Sequence, residues 1–401
     1  MTDSTSTTAA RLPLHGIRVI EFTHMVMGPS CGMILGDLGA EVIKVEPLDG
    51  DKTRQLLGLG SGFFRTFNRN KQSIAVDMKS AEGMEVVRKL IASADVLSEN
   101  FRPGLMAEMG LGYQQLKAGH PGLIYVSHKG FLPGPYENRA ALDEVVQMMG
   151  GLAYMTGPPG KPMRAGASVN DIMGGMFGVI GVMAALMERR QTGLGQFVQS
   201  GLFENCVFLS ATHMQQHAVD GKDCFPMPVR KTTFGVYDVF DTADGKQIFI
   251  GAVSDTQWKT FCRAFELTEL AADPRLQSNN ERVLEREHFM PRLRAIIATH
   301  SFAHLHDTLE KNRLPFAPVN RPEDLFEDEH LLAGGLGRVR ADDGRDTLIP
   351  MLPLMLGERR FGDHASIPRI GESSADLLRS LGYSDEQVIS LSAAGAVRTE
   401  A

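Results

Sequence analysis

Short β-branched runs alternate with helix-length amphipathic stretches over the first half of the chain. Residues 17–22, 41–46, 73–77, 95–98 and 123–127 read as strands. Residues 29–38 and 80–94 fall between them as helices, the second with Ser80 as its N-cap. Strands separated by crossover helices predict a parallel sheet covered on both faces, an α/β class, with ligands beyond the carboxyl ends of the strands. A longer apolar run, 172–187, is bounded by Asp171 and Glu188 and holds four glycines. It is shorter than the ~20 residues of a bilayer span and reads as a buried, closely packed helix. Thr192-Gly193-Leu194-Gly195 stops it, and Phe197-Val198 begins a short extended piece.

A second region begins near Thr232. Residues 234–240 and 247–250 flank Asp244-Gly245 as a β-hairpin, and helical segments follow to about Lys311. Residues 314–319 hold Pro315 and Pro318 and read as an extended linker, because a proline drives its predecessor out of the helical region. Residues 373–381 and 385–391 close the chain as helices. There is no internal repeat, and the only low-complexity stretch is the Ser- and Thr-rich tail 1–11.

At 401 residues the chain calls for two domains, or one large domain with an insertion. Its 43% hydrophobic and 22% charged residues are those of a soluble globular protein. The net charge of −7 gives no electrostatic case for nucleic acid or an anionic membrane. The tail lacks the apolar core of a signal peptide, and Cys31, Cys206, Cys224 and Cys262 are too scattered for a zinc site or a disulfide framework. A cytoplasmic location is expected.

Several motifs compete for the chemistry. Gly28-Pro29-Ser30-Cys31-Gly32 matches a nucleophile elbow, but it follows the first strand, and its proline suits a helix N-terminus. His213 and His217 share a helix face without a third metal ligand nearby, and His304-x-His306 is equally incomplete. Gly58-Leu59-Gly60-Ser61-Gly62 reads as a flexible loop. Lys71 and Lys79 bracket one strand, Arg102 follows another and Lys129 a third; they form either a phosphate-binding edge or a set of solvated charges. Asp171 opens the glycine-rich helix. It is either an N-cap or a nucleophile kept ionised by helix N–H groups. Gly174, Gly175, Gly178 and Gly181 would admit a ligand or another backbone.

Taken in order, the motifs resemble the class III CoA-transferases, the family of formyl-CoA transferase and the carnitine CoA-transferases. The matching stretches include Leu38-Gly39-Ala40-Glu41-Val42-Ile43-Lys44-Val45-Glu46-Pro47, Asn70-Lys71-x-Ser73-Ile74-Ala75-x-Asp77-x-Lys79 and Glu99-Asn100-Phe101-Arg102-Pro103-Gly104. Asp171 with its glycine helix and Ala184-Ala185-Leu186-x-x-Arg189-x-x-Thr192-Gly193-x-Gly195-Gln196 follow.

The resemblance implies an α/β fold with a Rossmann-like large domain built from both chain ends and a smaller inserted α+β domain, in an interlocked, ring-like homodimer. The corresponding division is a tail at 1–11, the large domain at 12–200, a linker at 201–231, the small domain at 232–320 and a return segment at 321–401. It also implies Asp171 as the nucleophile, and coenzyme A contacts at Val26, Met27, Val76, Lys79, Asn100, Phe101, Arg102 and Asp143. No permanently bound cofactor or metal is implied. The substrates would be an acyl-CoA, with succinyl-CoA as donor, and a small carboxylic acid, a dicarboxylate or an analogue such as 3-sulfinopropionate. Glu108 departs from the pattern, standing where many members carry a basic phosphate-binding residue. The glycine-rich loop of formyl-CoA transferase is missing at Gly251-Ala252-Val253-Ser254. The alternatives are an α-methylacyl-CoA racemase or a non-catalytic CoA-binding protein. The resembling racemases carry a histidine just before the equivalent of Asp143, where this chain has Leu142.

Overall fold

The computed structural model describes residues 12–229, 233–362 and 366–399. The expected tail at 1–11 and the expected start of the second region at Thr232 lie outside the described residues. The chain divides into two compact units. The first comprises the chain up to Tyr154, Pro162–Cys224 and the chain from Glu329 onward. The second comprises Met155–Lys161 and Phe225–Asp328.

In the first unit, β1 (Arg18–Phe22), β2 (Glu41–Glu46), β3 (Lys71–Val76), β4 (Val96–Glu99), β5 (Ile124–Lys129) and β6 (Phe197–Gly201) run parallel in the order β3-β2-β1-β4-β5-β6. This is the doubly wound Rossmann order, whose switch point lies between β1 and β4. The strand Val397–Arg398 pairs antiparallel with β3 and covers that edge. Strand residues alternate between two cores, as a period of two requires. Ile20, Ile43, Ile74 and Leu97 face Val86, Val87 and Leu90 of helix α2 (Ala81–Ala92), with Leu377 and Leu378 from the chain's end. Val19, Val42, Val96 and Ile124 face Leu35 of α1 (Met27–Asp37) and Val179 and Val182 of a longer helix. Ser80 caps α2 as expected, its Oγ accepting from the Gly83 N–H at 3.0 Å.

Helices α3 (Asp143–Met149), α4 (Val169–Thr192) and α5 (Leu202–Asp220) complete the part of this unit that concerns function. α4 extends beyond the expected 172–187 at both ends and stops at Gly193, whose φ of 73° suits glycine. By length and composition α4 could cross a membrane. Its glycine seam is committed elsewhere. A Cβ on Gly175 would lie 1.9 Å from Ser30 Oγ and 2.8 Å from the Met27 carbonyl oxygen; one on Gly181 would lie 2.4 Å from Val198. The glycines therefore admit the backbone of α1 and the sheet. The opposite face of α4 leaves Met176, Ile180, Met183 and Met187 exposed at helical spacing.

In the second unit, β7 (Val236–Asp241) and β8 (Gln247–Ala252) form the expected hairpin. β9 (Phe316–Pro318) pairs antiparallel with β8, so residues 314–319 hold a strand rather than a linker. Proline removes a donor but is tolerated at a sheet edge, and the Pro315 carbonyl oxygen still accepts from Gly251 N–H at 2.9 Å. The helices Asp255–Ala264, Arg286–Ile297 and Phe302–Lys311 bury Trp258, Phe261, Leu293, Leu305 and Leu309 against Ile248 and Ile250.

Candidate active site

The loops that leave β1 and β4 flank the switch point, and buried charges hold both. Lys44, fully buried, donates to the Thr23 carbonyl oxygen at 2.6 Å and pairs with Asp51 at 3.0 Å, fixing the loop after β1. Met25 adopts φ of 64°, a left-handed conformation that turns this loop into α1. After β4, buried Glu99 accepts from the Phe101 N–H at 2.9 Å, from Lys129 Nζ at 2.9 Å and from the Ser127 hydroxyl. Asn100 joins the two loops. Its Oδ1 accepts from His24 N–H at 3.0 Å and its Nδ2 donates to the His24 carbonyl oxygen at 2.8 Å.

Between these loops lies a cavity of about 320 Å³ whose lining includes His24, Met27, Asn100, Phe101, Arg102, His128, Lys129, Arg139, Asp143 and Asp171. Of the expected positions, Met27, Asn100, Phe101, Arg102, Asp143 and Asp171 meet here. Val26 lies next to Met27 but is buried in the core, and Val76 is buried in the other core. Lys79 is exposed and does not line the cavity. Sequence reasoning missed His24, His128 and Arg139, which carry no motif and are gathered only by the fold.

Asp171 is the third residue of α4 and is half-buried. It does not cap the helix. That role falls to Asp143, whose Oδ1 accepts from the Asn170 N–H at 2.9 Å while its Oδ2 accepts from Gln147 Nε2 at 2.6 Å. Among the described residues nothing donates to the Asp171 carboxylate. Burial first, and the charge of Asp143 second, push its pKa up from 3.8 to about 7, against a smaller opposing pull from Arg164. This corrects the expectation that helix N–H groups hold Asp171 low. The free N–H of Asn170 goes to Asp143, and for Asp171 the loss of water outweighs the helix dipole.

The basic edge expected from sequence is only partly present. Lys71 starts β3 and is buried, pairing with Glu21 at 2.7 Å and donating to Asn68 Oδ1 at 3.0 Å. It is a structural ion pair on the far end of the strand. Arg102 is exposed and held by Glu108 in two contacts of 2.9 and 2.6 Å. Ser30 sits within α1, buried, and donates to the Met27 carbonyl oxygen at 2.8 Å, so it presents no nucleophile. No group of three His, Cys, Asp or Glu side chains able to hold a metal occurs among the described residues.

Residues 14–374 match the sequence profile described as CoA-transferase family III. The succinate–glutarate CoA-transferase of Agrobacterium fabrum is 34% identical, covering 92% of this chain and 96% of that protein. The succinyl-CoA:mesaconate CoA-transferase of Haloarcula hispanica is 32% identical, with the same coverage of 92% and 96%. The crystal structure of a CaiB/BaiF family protein from Brucella suis superposes with a TM-score of 0.81 at 32% identity, over 93% of this chain and all of that one.

Proposed function

Since the chain belongs to the family III CoA-transferases, which move CoA between acyl-CoA thioesters and carboxylic acids, we propose that it does so through covalent catalysis by Asp171. The observation that carries this reading is the place of Asp171. Its unpartnered carboxylate faces the cavity at the switch point of the sheet, where the Asn100-Phe101-Arg102 loop can hold the coenzyme.

The Asp171 carboxylate attacks the thioester carbonyl carbon, the C–S bond breaks, and CoA leaves as thiolate, giving a mixed anhydride. The thiolate then attacks the aspartyl carbonyl, releasing the donor acid and forming an aspartyl-CoA thioester. The acceptor carboxylate attacks that thioester and expels CoA thiolate again. The thiolate finally attacks the acceptor's acyl carbon, forming the new acyl-CoA and regenerating Asp171. One exchange between weak nucleophiles becomes a series of easier displacements.

The relatives act on succinyl-CoA and on small dicarboxylic acids, glutarate and mesaconate among them. By extension, succinyl-CoA is the donor here and a short dicarboxylate, or an analogue such as 3-sulfinopropionate, is the acceptor. The exposed stripe of Met176, Ile180, Met183 and Met187 supports a homodimer that covers it. The four free cysteines suit the cytoplasm.

Hydroxylamine added during turnover tests the mechanism. Peptide mapping is expected to find a hydroxamate at Asp171 only when acyl-CoA is present, and Asp171→Ala is expected to abolish both adduct and transfer in a folded protein. An adduct at another side chain, or near-normal turnover by Asp171→Ala, would reject this nucleophile.

A further inference from the structure

We propose that Arg139 is the specificity residue that reads the second, unreacting acid group of the substrate, binding a distal carboxylate or sulfinate through its guanidinium. This rests on the dicarboxylate reading above and assigns the residue responsible for it.

Asp143, Asp171 and Glu137 all line the cavity, so the space beside the nucleophile is anionic. An acyl chain ending in a second carboxylate would be repelled there unless a cation answers it. Five basic side chains line the same cavity; two are imidazoles shifted toward the neutral form, and two are cations with other tasks. Arg102 belongs to the loop assigned above to the coenzyme and is paired with Glu108 in the meantime. Lys129 pairs with Glu99 at 2.9 Å and donates to the Phe101 carbonyl oxygen at 3.2 Å. His24 is pushed below its usual value, mainly by burial. His128 is buried, hydrogen-bonded with Ser98 at 3.1 Å, and pushed down to about 3, so it is neutral.

Arg139 alone lines the cavity as a cation with no carboxylate in ion-pair range among the described residues. It is also held in place. Its backbone N–H donates to the Tyr136 carbonyl oxygen at 2.8 Å, and its guanidinium lies 4.9 Å from the centroid of the Tyr136 ring and 6.0 Å from that of Phe131. These cation–π contacts engage the charge without using its N–H donors, which a ligand can then take. Those donors match the two oxygens of a carboxylate or sulfinate.

The test compares glutarate with valerate, acids of equal chain length that differ in the second carboxylate, as acceptors from succinyl-CoA. Terms from the donor cancel in the ratio of their kcat/KM values. Arg139→Gln is expected to reduce the glutarate-to-valerate ratio by about 10- to 100-fold, the loss of one charge-assisted contact, and Arg139→Lys to recover part of it. The ratio for succinyl-CoA over butyryl-CoA as donors should collapse in parallel. If Arg139→Gln slows both acceptors equally, Arg139 does not read the second acid group and this inference falls, while the proposed function stands. A wild type that prefers valerate also overturns it. A wild type that transfers CoA to no acid overturns the proposed function, and the inference with it. Should the Gln variant not fold, Arg139→Lys carries the same comparison.

Discussion

The raised pKa of Asp171 makes the acid limb of the activity profile a direct readout of its surroundings. Only the ionised carboxylate can attack a thioester, and kcat/KM reports the free enzyme. With a pKa of about 7, about nine-tenths of Asp171 is ionised at pH 8 and about one-tenth at pH 6. The value of kcat/KM for acyl-CoA should therefore fall about tenfold between those values, approaching a slope of one only below about pH 6. Asp143 contributes the second cause of the shift, after burial. Asp143→Asn keeps an oxygen for the Asn170 N–H but removes the charge, so the limb should move toward lower pH by part of the difference between 3.8 and 7. The same shift has a stability counterpart. A carboxyl whose folded pKa is raised contributes stability that is complete below its unfolded value and is lost as pH rises through about 7. The ceiling on that loss is on the order of 4 kcal/mol, and the partial exposure of Asp171 lowers it. Asp171→Asn should thus unfold at a higher temperature than wild type at pH 8, the gap closing near pH 4. Steady-state rates across pH 5.5 to 9, with thermal melts alongside, supply both measurements. A flat profile between pH 6 and 8, or a limb that stays at 7 in Asp143→Asn, would rule out this account of the acid limb.

Three further outcomes follow from exposed features. Arg102→Ala should raise the KM for acyl-CoA about 10- to 100-fold, at about 1.5–3 kcal/mol per charge-assisted contact, with a smaller change in kcat. Glu108→Gln should lower that KM by no more than a few-fold, because an exposed ion pair contributes about 0–1 kcal/mol. An Arg102 variant that weakens only the acceptor acid would assign Arg102 to that acid instead. Ile180→Glu, placed in the middle of the exposed stripe of α4, should turn a dimer into monomers by light scattering; an unaltered oligomer would mean the stripe is not the contact.

Where local pattern decides the structure, the sequence is legible. β2 is read residue for residue, because Val42, Ile43 and Val45 sit between clear breaks. The hairpin at Asp244-Gly245 is equally local. β9 is not, since Pro315 and Pro318 argue against a strand and only the approach of β8 makes one. The strand Val397–Arg398 is too short to show any period. At the site, Asp171 and the Asn100-Phe101-Arg102 loop stand out through their motifs. Arg139 and the two histidines become visible only when strands distant in sequence share an edge. The pKa of Asp171 could not be read either. A helix N-terminus is a sequence feature, whereas burial beside Asp143 belongs to the assembled fold.

The strand Val397–Arg398 on the edge of β3 has a consequence for the order in which the protein can mature. Leu377, Leu378, Val388 and Val397 belong to the same core as Ile74 and Val86. A nascent chain makes β3 and α2 early, then must extend by some 320 residues, from Val76 to Arg398, before the pieces that cover them emerge. At ~5–20 residues per second this is on the order of 15 to 60 s. During that interval the part of this face that Leu377, Leu378 and Val388 cover has only α2 beside it on the ribosome, which makes it a natural client for a holding chaperone.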